Sequence, residues 1–286
     1  MGKIIRRMIA VVLILILIIS TGMIIKTKMQ YKKDELLYEN TAASYTSVPT
    51  ETPAAGSGTD SNFSSKSVDA STSSLSGNAA QEEEEVPKEY APITVDFDAL
   101  KAVGSDIVGW IYCPDTIINF PVVKGSDNTY YLKHSYDGEY CYSGSIFVEQ
   151  LNSADFSDPN TIIYGHNMKD GLMFGKIDMW ADQSYYDAHP DIWLLTPERD
   201  YKIRLFSGYT TPAGSDSYQV FSDFGEDFSA YLSMALEQSD FVSPVEPGEE
   251  DCCVMLSTCA YVFTNARYVL HGVLQPLDSA GGIPLE

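Results

Sequence analysis

The sequence predicts a mainly β fold, a closed or nearly closed β-barrel with helical additions, preceded by an N-terminal segment of different character. Two observations indicate the barrel. Residues 91–286 contain many short segments rich in Val, Ile, Tyr and Phe, and these are bounded by Gly, Pro, Asn and Asp. Few helix-like stretches separate the segments, and this part of the chain is long enough for one well-buried core.

The first element is a predicted membrane anchor. Residues 8–25 form an uncharged apolar run of eighteen residues, at the short end of the ~17–25 that cross a bilayer. No small-x-small cleavage site follows the run, which favours a retained anchor over a cleaved signal peptide. Lysines and arginines lie on both sides, so the positive-inside rule does not decide the orientation. Because residues 1–7 are too short to hold a function, we expect a cytoplasmic stub and an extracellular remainder.

Residues 26–90 are predicted to form a disordered spacer rich in serine and threonine. From Thr41 to Ala80 the chain consists mainly of Ser, Thr, Ala and Gly, with few large apolar residues. Such a composition buries too little apolar surface to offset the loss of chain entropy on folding. The acidic run from Glu82 to Glu85 extends the segment further by repulsion between like charges.

Eight candidate strands follow in residues 91–286, which we predict to form the folded domain. Each is short, β-branched or aromatic in character, and flanked by turn residues. They are Gly109–Cys113, Ile117–Val123, Ser145–Val148, Thr161–Tyr164, Ile192–Thr196, Tyr201–Thr210, Cys252–Thr258 and Tyr268–Leu274.

Three helical segments are predicted among these strands. Asp96–Val103 opens the domain, and a short candidate at Leu172–Met179 follows the loop after His166. The third lies between two late strands and is amphipathic, with acidic residues at its start that favour the helix dipole. Its apolar face at i, i+3, i+4 and i+7 consists of Phe228, Tyr231, Leu232 and Ala235.

The charge of this domain limits its partners. The whole chain has a net charge of −22, and residues 91–286 contain nine Lys and Arg against twenty-nine Asp and Glu, a net charge of −20. A domain this acidic is a poor match for nucleic acid or an anionic surface. We therefore expect no nucleic-acid partner.

The cysteines predict neither a disulfide framework nor a metal site. There are five, so at least one thiol of an exported domain stays free. No Cys-x-x-Cys occurs, and two of them are adjacent, which is poor spacing for zinc. We expect no structural disulfide, no metal and no cofactor. The five are Cys113, Cys141, Cys252, Cys253 and Cys259.

Three residues carry the candidate chemistry. An apolar strand ends at Cys259, and Arg267 follows eight residues later on the next apolar strand. A nearby cation or histidine favours the thiolate that a cysteine nucleophile needs. His166 stands after another strand, where Gly165 frees the backbone to position the imidazole. The arginine fork suits a developing oxyanion, so the three indicate a cysteine acyl-transfer enzyme.

Each candidate also has a structural alternative. Buried free cysteines are common and inert. A lone histidine is often structural, and His271 is the other histidine with a plausible position. Arg267 could instead form a surface salt bridge on an edge strand.

The combination resembles the sortases, membrane-anchored cysteine transpeptidases of Gram-positive bacteria. Leu256-Ser257-Thr258-Cys259 looks like their signature tetrad, Arg267 like their arginine and Tyr164-Gly165-His166-Asn167 like their histidine segment. The resemblance spans most of residues 95–274 and is closest to class B. The segments similar to that class's early strands are Trp110-Ile111, Pro114-Asp115-Thr116, Phe120-Pro121-Val122-Val123 and Asp127-Asn128 through Tyr131-Leu132. Gly144-Ser145-Ile146-Phe147-Val148 is similar to the next strand.

The resemblance implies a fold and a mechanism. The fold is an eight-stranded β-barrel with an N-terminal helix and an extra helix between late strands. Cys259 attacks the carbonyl after Thr in a sorting motif, His166 serves as acid and then base, and Arg267 holds the oxyanion. Four residues line the peptide groove by the same carry-over, with the helix near Tyr231 as one wall; they are Asn128, Leu132, Ser257 and Thr258.

The implied partners are exported proteins with a C-terminal sorting signal and a peptidoglycan precursor or stem-peptide amine. The implied location is the cell membrane, spanned once, with the catalytic domain outside. Two alternatives remain open. One is a non-catalytic binding or assembly factor on a sortase-like barrel. The other is a peptidase in which water wins the second step.

Overall fold

The computed structural model describes residues 2–49 and 89–285. Four α-helices are found there: α1 (Gly2–Tyr45), α2 (Phe97–Val103), α3 (Gln183–Ala188) and α4 (Glu226–Glu237). The strands are β1 (Thr46–Ser47), β2 (Thr94–Val95), β3 (Ile107–Tyr112), β4 (Asn119–Val123), β5 (Ile146–Val148), β6 (Asn160–Tyr164), β7 (Asp191–Leu195), β8 (Tyr201–Pro212), β9 (Cys253–Cys259), β10 (Ala266–Pro276), β11 (Ser279–Ala280) and β12 (Ile283–Pro284).

Strands β3 to β10 close into one barrel. Their order is β10-β8-β7-β3-β4-β5-β6-β9, and the last strand pairs back onto the first. The β4–β5 and β6–β9 pairs are parallel and the remaining pairs are antiparallel. All eight predicted strands are present with bounds within two residues of those predicted. The predicted eight-stranded, mainly β barrel is therefore confirmed.

Several strands, β9 above all, bury both faces, which explains why they consist of nearly continuous apolar residues. Along β9, Val254 and Leu256 point into the barrel interior and join the main core. Cys253 and Met255 alternate with them, point outward and pack with Phe228 of α4 in a second core. Helix α4 therefore covers part of the outer face of the barrel.

Two of the three predicted helices of this domain are confirmed. Helix α2 begins one residue after Asp96 because that side chain is its N-cap and accepts a hydrogen bond from the Ala99 amide at 2.9 Å. Helix α4 buries the predicted apolar face, and Glu226 and Asp227 lie in its first turn.

The predicted helix at residues 172–179 is wrong. Gly171 and Met173 have φ angles of +90° and +58°, which an α-helix does not allow. A 3₁₀ helix forms only at Ile177–Ala181, and α3 follows it. Met173 is fully buried, so tertiary packing overrides the local helical pattern.

The N-terminal helix corrects one boundary of the predicted domain organisation. Residues 26–45, assigned above to the disordered spacer, continue α1 without a break. They are ordered because part of the segment packs on the barrel. Residues 50–88 of the predicted spacer lie outside the described residues. The predicted anchor at 8–25 lies within α1, in a helix long and apolar enough to cross a membrane.

One face of the second half of α1 docks on the barrel. Tyr38 is 2 % exposed, packs edge-on against Phe120 at 5.5 Å and donates a hydrogen bond to the Gly144 carbonyl. Asp34 accepts hydrogen bonds from both the amide and the hydroxyl of Ser143 at 2.8 and 2.9 Å. These buried polar contacts fix the helix in one position against the domain.

We expect Tyr38→Ala to destabilise the domain by about 3–5 kcal/mol, because it leaves a large cavity and an unpaired carbonyl. Leu36→Ala is the matched control, since Leu36 lies on the same helix but is 44 % exposed. Urea unfolding of the full chain in detergent micelles measures both. Equal, small losses for the two variants would show that α1 is not part of the folded unit.

Candidate active site

The β9–β10 hairpin brings two of the three predicted catalytic residues together. Cys259 is the last residue of β9 and lies directly opposite Arg267 of β10 in the antiparallel ladder. Opposite residues in such a ladder project to the same face, with Cβ atoms about 4.5–5.5 Å apart. Both side chains are half-buried at the mouth of a cleft. A thiol and a guanidinium are thus held side by side.

The parallel β6–β9 pair brings in the third. Gly165 donates its amide hydrogen bond to the Ser257 carbonyl at 3.1 Å, and His166 follows it at the end of the strand. A Cβ at Gly165 would lie 2.6 Å from Phe174, so only glycine fits this close approach. Asn167 donates a side-chain hydrogen bond to the carbonyl of Cys259 at 2.5 Å. Hydrogen bonds at both Gly165 and Asn167 therefore hold the histidine segment against the nucleophile strand.

The imidazole of His166 is held in a neutral form. Burial lowers its pKa, the Leu132 carbonyl acts in the opposite direction and the charge of Lys133 lowers it further. Nε2 lies 2.9 Å from the Leu132 carbonyl, and because a carbonyl only accepts, Nε2 carries the hydrogen. Nδ1 is then the basic nitrogen. At neutral pH the charged imidazolium is a minority species.

One cleft of about 210 Å³ joins these residues. Successive residues of β9 and β10 face alternately into and out of the barrel, and the cleft residues of these strands face outward. The cleft therefore lies on the outer face of the barrel, beyond the outward-facing residues that α4 covers. Tyr218, which precedes α4, is hydrogen-bonded at 2.7 Å to the hydroxyl of Ser257, one of the cleft residues. The lining residues are Asn128, Leu132, Phe147, Tyr164, Gly165, His166, Ser257, Cys259 and Arg267.

Three of the four predicted groove residues line this cleft, and Thr258 does not. Thr258 is 2 % exposed, and its hydroxyl donates to the Gly165 carbonyl at 2.8 Å. The reason is the two-residue period of a strand, which turns Ser257 and Cys259 outward and Thr258 inward. The expectation that the Thr258 side chain contacts peptide is corrected accordingly.

Arg267 has no carboxylate partner in residues 2–49 and 89–285. Its Nη1 donates to the Ala266 carbonyl at 3.0 Å. Strand β10 is paired on both sides, by β8 and β9, so Arg267 is not on an edge strand. The surface salt-bridge alternative therefore does not describe this residue, and its guanidinium is available to the cleft.

Sequence reasoning missed a buried carboxylate under the cleft. Glu149 is 7 % exposed and accepts hydrogen bonds of 2.7 Å from the Tyr164 hydroxyl and from the Asn128 amide. Asn128 in turn accepts from the Gln150 amide at 2.8 Å. Both donors to Glu149 line the cleft, so this carboxylate positions its floor. A charged residue directly after a buried strand was the available signal.

The alternative histidine, His271, lies outside the cleft. It is fully buried beneath α4 and stacked on Tyr209 at 5.4 Å, and its Nε2 is hydrogen-bonded to the Tyr231 hydroxyl at 2.9 Å. Burial lowers its pKa to about 3. His271 is therefore a neutral core residue. Its place in the second core explains why Tyr231 is buried rather than facing the groove.

This buried histidine makes the fold sensitive to acid. Because the pKa of His271 is about 3 when folded and about 6.5 when unfolded, the unfolded chain binds more protons between these values. The free energy of unfolding then falls as pH falls, by up to about 5 kcal/mol in total. In His271→Phe we expect a shallower fall, measured by urea unfolding across this pH range. Parallel curves for the two proteins would contradict this account.

No protein-family model matches the chain. Two curated relatives are similar to it, both named Sortase B. The one from Listeria monocytogenes is 37% identical over 179 residues, which cover 61% of this chain and 72% of that protein. The one from Staphylococcus aureus is 31% identical over 185 residues, covering 64% and 76%.

Solved structures agree with these relatives. A Staphylococcus aureus sortase B–substrate complex superposes with a TM-score of 0.59 at 29% identity, covering 66% of this chain and 85% of that one. A Sortase B complexed with triglycine superposes with a TM-score of 0.59 at 30% identity, covering 66% and 86%. The similarity therefore extends over most of each solved chain.

Proposed function

This chain belongs to the class B sortases and is a sortase-type cysteine transpeptidase, and on that premise we propose how it works. It cleaves a C-terminal sorting motif after threonine, holds the protein as a thioacyl-enzyme on Cys259 and transfers it to a cell-wall amine. The observation that carries this proposal is the placement of Cys259 opposite Arg267, with His166 lining the same cleft.

In the first step the Cys259 thiolate attacks the threonine carbonyl carbon. A C–S bond forms, the carbonyl oxygen gains negative charge, and the C–N bond then breaks. The leaving amine takes a proton from the His166 imidazolium. Arg267, free of any described carboxylate, donates to the oxyanion. The products are a thioester and the freed C-terminal peptide.

In the second step an amine attacks the thioester carbon. His166, now neutral, accepts a proton from this amine, and the C–S bond breaks as the new amide forms. Arg267 again holds the oxyanion. The thiolate and the imidazolium are regenerated, so protons and electrons balance over the cycle.

The lowered pKa of His166 has a kinetic consequence. The first step needs the imidazolium, but burial favours the neutral ring, so the competent form is a minority at neutral pH. The second step uses the neutral ring that burial favours. His166 therefore acts as base in its neutral form, which is the majority, and as acid in its protonated form, which is the minority.

The groove residues are also proposed by position. Asn128, Leu132 and Ser257 line the same cleft as Cys259. The Glu149 carboxylate holds Asn128 through hydrogen bonds of 2.7 Å, which leaves little freedom for that amide. A peptide in the cleft then meets fixed polar groups next to the nucleophile.

The partners follow from the same premise. One similar structure is a sortase B–substrate complex, and another is complexed with triglycine. These two complexes support the proposed partners of this chain. The donor of the acyl group is an exported protein that bears a sorting signal, and the acceptor is an amine of a peptidoglycan precursor or stem peptide.

We also propose that α1 anchors the enzyme. Its apolar part at 8–25 spans the cell membrane once, residues 1–7 stay in the cytoplasm, and the domain at 91–286 is extracellular. Supporting this is a helix with mean hydropathy of 3.1 over an 18-residue window and no burial in that window.

The deciding experiment is product analysis with and without an amine. The full chain is incubated with a threonine-containing sorting peptide, first alone and then with a diamine or a stem peptide, and the products are identified by mass spectrometry. A transpeptidase yields the amide-linked product when the amine is present. Hydrolysed peptide alone under both conditions would favour the peptidase alternative, and unchanged peptide would favour a non-catalytic binding factor.

A further inference from the structure

The apolar run and the catalytic barrel are joined by one helix. Helix α1 runs from Gly2 to Tyr45 without interruption. Tyr31, six residues beyond the run's last residue, Ile25, already packs against the barrel core. Six residues of α-helix rise only about 9 Å. The first contact with the barrel therefore lies close to the end of the predicted anchor.

The segment outside the described residues does not set this distance. Its two flanks are paired, since Thr46 lies opposite Val95 in the β1–β2 ladder. The Asp96 amide also donates to the Tyr45 carbonyl at 2.9 Å. The end of α1 and the start of the barrel domain therefore lie side by side. The helix, not the intervening segment, places the domain relative to the anchor.

The anchor end of the docked helix lies next to the active cleft. The Tyr31 ring packs on Tyr142 at 5.4 Å between centroids. The Lys133 ammonium sits 4.6 Å from the Tyr142 ring, and the preceding residue, Leu132, accepts the hydrogen bond of His166. Three successive contacts connect the first docked turn of α1 with the candidate catalytic histidine.

The other end of the docked helix lies at the opposite side of the domain. Tyr45 shares a surface cleft with Val95 and Ile283. Fourteen residues of helix separate Tyr45 from Tyr31, a rise of about 21 Å. The active cleft is therefore at the end of the barrel nearer the apolar run, here called the proximal end, and the β11–β12 hairpin is at the distal end.

An exposed apolar loop stands at this proximal end. Tyr261, Val262 and Phe263 follow Cys259 and are 77%, 77% and 46% exposed. The Tyr261 hydroxyl donates to the Asn167 carbonyl at 3.5 Å. Burial and Tyr142 raise the pKa of Tyr31 most, and Asp170 and Tyr261 raise it further, which agrees with a loop near that helix turn.

We propose that the loop at 260–265 contacts the bilayer surface through Tyr261, Val262 and Phe263, so that the cleft opens at the lipid interface. This rests on the proposed membrane anchor. Aromatic and aliphatic side chains favour the interfacial zone of a bilayer. The domain's net charge of −20 disfavours attraction to anionic headgroups, so apolar contact provides the binding.

The placement suits the proposed substrate. If the donor protein is held in the membrane beyond its sorting motif, that motif lies just outside the bilayer. An active cleft at that height meets the motif directly. A cleft at the distal end would lie roughly 20 Å higher along α1.

Tryptophan quenching by lipid tests this placement. The full chain is reconstituted in phosphatidylcholine vesicles with and without brominated acyl chains, as wild type, Val262→Trp and Ile283→Trp. The wild type corrects for its three native tryptophans. Ile283, which is 62% exposed at the distal end, is the matched control. We expect brominated lipid to lower the added emission of Val262→Trp about twofold and to leave that of Ile283→Trp unchanged.

Three results would overturn the proposal. In the first, Val262→Trp is not quenched although the chain floats with the vesicles, so the anchor stands and the docking fails. In the second, both variants are quenched equally, so the cleft end is not the proximal one. In the third, the emission of Val262→Trp changes when a sorting peptide is added in detergent but is not quenched by brominated lipid. The loop would then bind peptide and not the bilayer. Amide formation by the same samples is measured separately and reports on the proposed reaction.

Discussion

Cys259→Ala is expected to abolish both cleavage of a sorting peptide and formation of the amide-linked product. The substitution removes the sulfur that forms the thioester, and no other described thiol lines the cleft. Loss of a covalent nucleophile lowers turnover by about 10⁴-fold or more. A fluorogenic sorting peptide measures cleavage, and mass spectrometry measures transfer.

Cys252→Ala is the matched control for that experiment. Cys252, like Cys259, is half-buried and forms no disulfide. It directly precedes the first residue of β9, at the end of the strand away from Cys259, and its thiol donates a hydrogen bond to the Ser157 carbonyl. Its loss should leave turnover within about twofold of wild type. Cleavage that persists in Cys259→Ala would exclude the thioacyl mechanism. Comparable losses in both variants would indicate a folding defect.

The second large effect is expected for Arg267→Lys. Lysine keeps the positive charge but replaces the planar fork of donors with a single mobile ammonium. If Arg267 holds the oxyanion, turnover should fall by about 10²–10³-fold while the fold stays intact. Steady-state kinetics with the sorting peptide should place most of the loss in kcat, because the interaction strengthens in the transition state.

Arg204→Lys provides the comparison for this variant. Arg204 lies on β8, is exposed and pairs across the ladder with Val273 of β10, away from the cleft. Its replacement should leave kcat unchanged. Near-normal turnover in Arg267→Lys would remove the oxyanion role from this residue. A loss confined to KM would assign it to peptide binding instead.

The barrel could be predicted because each strand carries its own signal. Segments such as 161–164 and 252–258 are buried on both faces, so they are mainly apolar, and turn residues bound them. Helix α4 was also predictable, since its apolar face has helical spacing. The candidate helix at 172–179 failed because Met173 takes a left-handed φ of +58° to reach the core.

The candidate site was partly predictable. Cys259, His166 and Arg267 each stand at or near a strand end, and their residue types suit acyl transfer. The expectation for Thr258 failed because the motif consists of adjacent residues, whereas successive residues of a strand face opposite sides. Thr258 therefore faces inward, where its hydroxyl bonds to the Gly165 carbonyl. Glu149 was missed because its partners, Asn128 and Tyr164, are distant in sequence and meet it only in the folded barrel.

The sequence by itself determined the barrel class, the apolar run and the residue types of the candidate site, since all three are local patterns. Only the tertiary structure decided which side chains share the cleft, which histidine is buried as core and where α1 docks. Those outcomes depend on strand register and on contacts such as Tyr38 with Gly144, which join residues far apart in the chain. Burial then sets the pKa values, because desolvation arises only when distant segments close over a group.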